Sequence, residues 1–398
     1  MAPVQEQVLA QRLEHATHVE WFLTAASPVG ADIETAANAK VDAAHVAGAL
    51  FEALGQKLKD ERIEVLQEKI YGVRFAHASI LEQRVAAFSR AGIRADWPVT
   101  VLEGTPASGS QFGGVQLWGV TLRPDSDQRV ETALFQGRAV GREWIGRDFR
   151  QLLLAGIDGG APAQTQEAAT QAQQMFDTAS SILTARGYSF RQVARTWIYL
   201  SQLLDWYGDF NRVRNAHYAA CGLAATGAAV FPASTGIQAR RAHEHCLMDV
   251  LAVDARASSA LRVRPVLHSA RQGQAFSYGS AFARAMVLER GAAKIIHVSG
   301  TASIDGAGQS THHGDAAAQY CETLLSIAAV LEQEGASIAD IVQGTLFAKT
   351  QAINESCREV ARRLCLPRLP LLEIIADVCR PELLVEIEAV AVVQSSTA

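Results

Sequence analysis

The chain has 398 residues, 41 acidic against 36 basic, and a formal charge of −5 at pH 7. That length exceeds what a single hydrophobic core usually supports, so two or three units are expected. The slight acidic excess, without a long basic run, argues against a surface that tracks phosphates, and no apolar stretch is long enough to suggest a membrane span.

No charged segment leading into an apolar run opens the chain, so the expected location is the cytoplasm. The cysteines Cys221, Cys246, Cys321, Cys357, Cys365 and Cys379 lack Cys-x-x-Cys spacing, which fits reduced, buried thiols better than a disulfide framework or a zinc site.

Residues 1–60 are rich in alanine, with charges at helical intervals over Gln5–Glu14 and Ala36–Lys59, and predict a helical extension. From Val65 the pattern changes to a short apolar run, a helix over Ala76–Ala91, and strands at Val99–Leu102 and Gly114–Val120. This stretch, 61–145, reads as a degenerate first copy of a unit that recurs twice more toward the C-terminus.

A clearer repeat begins at Leu152-Leu-Leu-Ala-Gly-Ile-Asp158, which has the shape of Val298-Ser-Gly-Thr-Ala-Ser-Ile-Asp305. Amphipathic helices come next, Gln164–Arg186 and Asp315–Glu334, each stopped by a glycine suited to a left-handed cap, Gly187 and Gly335. Strands Ala194–Leu200 and Val342–Lys349, helices Asp209–Cys221 and Asn354–Leu364, and closing strands His245–Val253 and Leu383–Val393 complete the two copies, 146–260 and 261–398. The predicted class is α/β (α+β): tandem β-β-α-β-α-β units with helices over one face of a mixed sheet. The remaining sheet face is apolar as well, so the copies are expected to pack sheet to sheet about a shared axis, with sites at their seams.

These units resemble the YjgF/RidA family, whose Asp-Phe-x-x-Val-Asn, Pro-Ala-Arg and Glu-Ile-Glu-Ala segments are echoed by Asp209-Phe-Asn-Arg-Val-Arg214, Phe231-Pro-Ala-Ser-Thr-Gly236 and Val385-Glu-Ile-Glu-Ala-Val-Ala391. The arginine that holds a substrate carboxylate in the deaminases of that family is replaced here by Ser234 and Leu372. The chain is more similar to the chorismatase branch. The residues that carry this are Val99-Thr-Val-Leu-Glu-Gly104, Gly114-Val-Gln-Leu-Trp-Gly119, Tyr207-Gly-Asp-Phe-Asn-Arg-Val-Arg-Asn215, Pro232-Ala-Ser-Thr-Gly236, Tyr278-Gly-Ser-Ala-Phe-Ala-Arg284, and Cys379 seven residues before Glu386. The resemblance implies cleavage of chorismate to pyruvate and 3-hydroxybenzoate, with or without 4-hydroxybenzoate, using no cofactor and no metal. The other readings are a hydrolase giving a dihydroxycyclohexadiene carboxylate, a deaminase of imines or enamines, and a module that only binds a small acid. It further implies a monomer acting as a pseudo-trimer, because three tandem units can close the ring that smaller relatives build from three chains.

Cleaving an enol ether needs a proton at its terminal carbon. Strand alternation puts Glu386 and Glu388 on one face, which is either an exposed edge or a buried acid pair. The resemblance favours Glu386 as the acid, with Glu388 as support, and pairs Cys379 with the branch that forms 3-hydroxybenzoate. A dianionic substrate calls for guanidinium partners. Arg214, Arg284 and Arg195 are the candidates, with Tyr207 from a matching motif. Thr235, Gly236, Ser299 and Gly300 are expected to offer backbone N–H groups at tight turns, and Gly279 to leave room for the ring.

Three signals point elsewhere. His243-Glu-His245-Cys246 lacks a partner cluster and reads as a loop end. His312-His313 with Asp315 reads as a turn and helix cap. No Walker loop, dinucleotide-binding glycine motif or Gly-x-Ser-x-Gly elbow occurs.

Overall fold

The structure, a computed structural model, describes residues 8–28, 43–159, 167–224, 230–239 and 245–394. The first sheet opens with a hairpin of β1 (Val8–Glu14) and β2 (His18–Ala26). Helix α1 (Ala43–Asp60), β3 (Glu64–Gly72), α2 (His77–Ala91), β4 (Thr100–Glu103), the two-residue β5 (Thr105–Pro106) and β6 (Phe112–Leu122) come after it. The second sheet takes β7 (Arg129–Phe135), β8 (Arg138–Ile145) and β9 (Phe149–Asp158), then α3 (Ala168–Ala185), β10 (Val193–Leu200), α4 (Leu203–Ala220), β11 (Ala233–Gln238) and β12 (Cys246–Ala255). The third takes β13 (Leu261–Val266), β14 (Ala285–Arg290), β15 (Ala293–Ala302), α5 (Ala316–Glu332), β16 (Ile341–Ala348), α6 (Gln351–Arg363), β17 (Leu371–Ile375) and β18 (Val385–Gln394).

The strand orders β1-β2-β6-β3-β4, β8-β9-β12-β10-β11 and β14-β15-β18-β16-β17 are the same path drawn three times. In each, a hairpin leads to the closing strand, then to the strand between the two helices, then to an edge strand parallel to that one. The additions are β7 and β13 on the hairpin side, and β5, which leaves the first unit to pair with β17 of the third.

Burial follows from this plan. Three cores lie between a sheet and its own helices: Leu50, Phe51 and Phe88 in the first, Met175, Phe176 and Phe210 in the second, Leu324, Ile327 and Val330 in the third. A fourth joins the inner faces of all three sheets through Phe22 and Trp118, Trp197 and Leu251, and Met286 and Ala302. Sheets covered on both faces need apolar residues on both, which is why β10 and β16 are buried along their whole length.

Several expectations are corrected. Residues 1–60 do not form a helical extension among the described residues. Only Ala43–Asp60 is helical, while β1 and β2 are the hairpin that the first unit needs to match the others. Helical spacing misleads here because a half-buried hairpin and a helix both mix alanine with charge over short windows. A boundary at 60 would therefore cut the first sheet, and one at 145 would separate β8 from its neighbour β9. The edge strands β11 and β17 are additions to the expected pattern of the two later copies, where Pro-Ala-Ser-Thr-Gly has the composition of a turn. Residues 160–166 and 240–244, including the start of one expected helix and His243, lie outside the described residues. Among the described residues no helix is long and apolar enough to cross a membrane.

Candidate active site

Glu386 lies on β18, which is flanked by β15 and β16 and so is an interior strand. It is 4 % exposed, as is Glu388. The reading of these residues as a solvent-facing edge is thereby overturned. Close to Glu386 the register of β15 slips between Val298, which faces Ala389, and Thr301, which faces Ile387, so that Ser299 and Gly300 together oppose Glu388. Such bulges re-aim side chains beside sites. Here the bulge brings Gly300 so near that a Cβ at this position would collide with Glu386 Oε1 and press on Thr235 Cγ2. Any larger residue here would displace the carboxyl of the acid.

The neighbouring unit closes the seam. Ser299 Oγ donates to Ala283 O at 2.6 Å and accepts from the N–H of Ser234 at 2.9 Å, while the Ala283 N–H donates to Pro232 O at 2.9 Å. These bonds stitch β11 to the third unit and leave a small cleft beside Glu386. Its walls include Tyr207 and Arg214 from α4, Ser234 and Gly236 from β11, Tyr278, Phe282 and Arg284 from the segment before β14, Gly300, and Cys379 and Arg380 ahead of β18.

The arginines are held with capacity to spare. Arg214 is 1 % exposed, its Nη2 donates to Asn211 Oδ1 at 2.7 Å, and its Nε has no partner among the described residues. Arg284 gives Nε and Nη2 to Gly273 O at 2.9 and 2.8 Å, and Nη2 to the Tyr278 hydroxyl at 2.8 Å. Arg380 Nη1 donates to Gly308 O at 2.8 Å and lies over the Tyr278 ring.

Burial and, after it, the adjacent Glu388 carboxylate push Glu386 up to about 8, against the pull of the Arg195 guanidinium. Burial and then Glu386 push the Cys379 thiol up to about 12, and burial raises both Tyr207 and Tyr278. At neutral pH the cleft thus holds a protonated carboxyl, a neutral thiol, two phenols and three guanidinium cations. Such a set of groups has the charge to receive an anion and a proton to give it.

Pairing registers put the three seams in correspondence. Counted from the bulge that each central strand shares, Glu386 opposite Phe347 corresponds to Leu247 opposite Tyr199 and Gly114 opposite Tyr71. The seam at Gly114 is filled by Leu372 and Ile374, so Leu372, which stands in for the missing arginine, is a packing residue there. Glu386 is the one acid at these three positions.

The structure gathers Glu386, Cys379, Arg214, Arg284, Tyr207, Gly236 and Gly300 around this cleft, with Thr235 directly behind it. It does not bring the other candidates to the cleft wall. Arg195 turns away to pair with Glu388, Ser299 spends its hydroxyl on the stitch, and Gly279 is an exposed turn residue with φ +95° whose oxygen accepts from Asn215. The expectation that Gly279 leaves room for a ring gives way to a backbone reason for glycine. Arg380, Tyr278, Ser280, Phe282 and Ile304 were missed as site residues; Arg380 was legible as the residue after Cys379, and Tyr278, Ser280 and Phe282 from the segment that ends in Arg284, whereas Ile304 carries no pattern of its own. His15, His18 and Glu20 form a separate group with the composition of a metal-ligand set. Arg290 Nη1 lies 2.9 Å from His18 Nε2 and Trp118 Nε1 donates to Glu20 at 3.1 Å, so the group reads as a buried ion-pair network.

Comparison with solved structures adds a likeness of fold. A crystal structure of a chorismatase superposes with a TM-score of 0.54 at 20% identity, covering 82% of this chain and 92% of that one. The chain has a chorismatase-like fold. Residues 276–393 match the family described as Endoribonuclease L-PSP. Smaller proteins match one third of the chain: a Thermotoga maritima putative endoribonuclease (24% identity, 33% of this chain and 99% of that one, TM-score 0.28) and a Mycobacterium tuberculosis member of the YjgF/YER057c/UK114 family (29%, 33% and 100%, 0.26). In this chain the three units are covalently joined, so the three seams can differ, as they do at Glu386, Leu247 and Gly114.

Proposed function

We propose that this chain is a chorismatase that releases pyruvate from chorismate and leaves 3-hydroxybenzoate. The observation that carries the reading is a buried, protonated Glu386 in a cleft with three guanidinium groups, Arg214, Arg284 and Arg380. A substrate with two carboxylates and an acid-labile enol ether matches both features. Arg214 offers an unpartnered, desolvated N–H, and charge-assisted bonds in such a setting are strong.

Glu386 protonates the terminal methylene carbon of the enolpyruvyl group, making the ether carbon an oxocarbenium centre. The neighbouring ring hydroxyl oxygen then bonds to the ring carbon bearing the ether. That C–O bond breaks, its electron pair forms the keto group of pyruvate, and the hydroxyl proton returns to the Glu386 carboxylate. Opening of the resulting arene oxide and loss of a ring proton give the aromatic acid, so substrate atoms are shared between the two products without water. Cys379, neutral because its thiol is pushed up to about 12, serves as a proton donor and acceptor for aromatisation rather than as a nucleophile. Phe282 and Ile304 supply apolar walls for the ring.

The test is incubation with chorismate followed by chromatography of the products. The proposal expects equal amounts of pyruvate and 3-hydroxybenzoate. The dihydroxycyclohexadiene carboxylate as sole ring product would make the chain a hydrolase, and unchanged chorismate would overturn the proposal.

A further inference from the structure

Arg195, a carboxylate ligand by its sequence position, has another role in the geometry. It is 2 % exposed and borders a separate central cavity lined also by Lys69, Trp197, His297 and Glu388. Its Nη2 donates to Glu388 Oε2 at 3.0 Å and to Thr235 Oγ1 at 2.6 Å. Thr235 Oγ1 accepts from the N–H of Gly300 at 3.1 Å, and Gly300 is the residue on which the Glu386 carboxyl rests. Glu388 has a second cation, Lys69 of the first sheet, with Nζ 3.7 Å from Oε1 and lying over Trp197. One guanidinium therefore ties together the two groups that fix Glu386 from behind, one on each side of the seam.

We propose that Arg195 is a positioning residue for the acid: by holding Glu388 and Thr235 behind Glu386, it sets how readily Glu386 gives up its proton. The inference rests on the reaction proposed above. Once the proton has left, Glu386 becomes a second buried carboxylate next to Glu388. Like charges at close range in a low dielectric repel strongly unless a cation is shared between them. The charged and titratable groups around Glu386 are Glu388 on β18, Arg195 on β10, Cys379 and Arg380 ahead of β18, Tyr207 and Arg214 on α4, and Tyr278 and Arg284 ahead of β14. Arg195 is the cation that eases ionisation of Glu386 in this set. The first unit, absent from the cleft wall, reaches the acid through Lys69 and Glu388.

Arg195→Gln is the informative change, because the positions equivalent to Arg195 in the other two central strands are Gln67 and Gln343, and the fold accommodates glutamine there. The basic limb of the kcat profile is expected to rise by about one to three pH units, as for loss of a neighbouring opposite charge. At pH 7 kcat is expected to fall roughly tenfold, since about half of a two-unit loss of acid strength is expressed in a proton-transfer rate. KM for chorismate should stay within about twofold of native, because no substrate contact is removed. Arg195→Lys, which keeps the charge, should restore most of the native limb. Arg195→Met removes the same charge if the glutamine variant folds poorly. A large rise in KM with an unmoved pH limb would make Arg195 a substrate ligand and overturn the proposal. The carboxylic C=O infrared band of Glu386, assigned by its loss in Glu386→Gln, is read without any substrate. An unshifted titration midpoint of that band in Arg195→Gln would overturn the positioning role even in an active enzyme. A shifted midpoint in a chain inert toward chorismate would instead sink the reaction and leave the coupling standing.

Discussion

Replacing Glu386 by glutamine should stabilise the protein, and increasingly so as pH rises. In the fold this carboxyl is raised from an ordinary 4.5 to about 8, so folding favours its protonated form. Its contribution to stability is fully present below pH 4.5 and is lost as pH climbs through 8. At about 1.4 kcal/mol per pKa unit, the cost of keeping Glu386 reaches at most about 5 kcal/mol above pH 8. Water penetration and relaxation around the charge reduce this, so roughly 2–4 kcal/mol is the expected gain for Glu386→Gln near pH 9. Close to pH 4.5 the two proteins should differ by less than about 1 kcal/mol, since glutamine is nearly isosteric with the protonated acid. Urea unfolding of both proteins at pH 4.5, 6, 8 and 9 measures the difference directly, with the slope checked for two-state behaviour. A stability difference that stays flat across this range would mean that Glu386 ionises normally, and the argument for a stored proton would fail.

The remaining expectations concern the cleft. Arg214→Met should lower kcat/KM for chorismate by about 30- to 1,000-fold, the loss of one desolvated charge-assisted contact, and steady-state kinetics with varied substrate will show it. Gly300→Ala should lower kcat at least about 100-fold, because the added methyl displaces the Glu386 carboxyl, and substrate binding followed calorimetrically should survive better than turnover. Cys379→Ala should keep pyruvate release within about tenfold of native while shifting the ring product away from 3-hydroxybenzoate, as chromatography of the reaction mixture will reveal.

Much of this was legible in the sequence where chemistry and periodicity coincide. The duplicated strand, helix and glycine-stop pattern located the second and third units, because Gly187 and Gly335 end their helices at left-handed turns. Strand alternation gave Glu386 and Glu388 a shared face, although only the interior position of β18 decided that this face is buried. The N-terminal hairpin was invisible because β2 is buried along almost its whole length and shows no alternation, while β1 buries only Leu13 fully. The fate of Arg195 was equally hidden. An arginine in an apolar strand predicts a buried partner without naming it, and here the partner is Glu388, 193 residues away. Ser234 takes the place of a carboxylate-binding arginine and lines the cleft, and the cations come instead from Arg214, Arg284 and Arg380 on other elements. Such a redistribution around one seam leaves no local spacing for a sequence to display.

If a stored proton on Glu386 drives release of pyruvate from chorismate, the native chain and Glu386→Gln must differ in pyruvate release at pH 7. With a carboxyl raised to about 8, about nine-tenths of the native protein holds the proton at that pH. The native chain should form pyruvate continuously, and the folded variant should be slower by about 100-fold or more. Equal rates for the two proteins would contradict it.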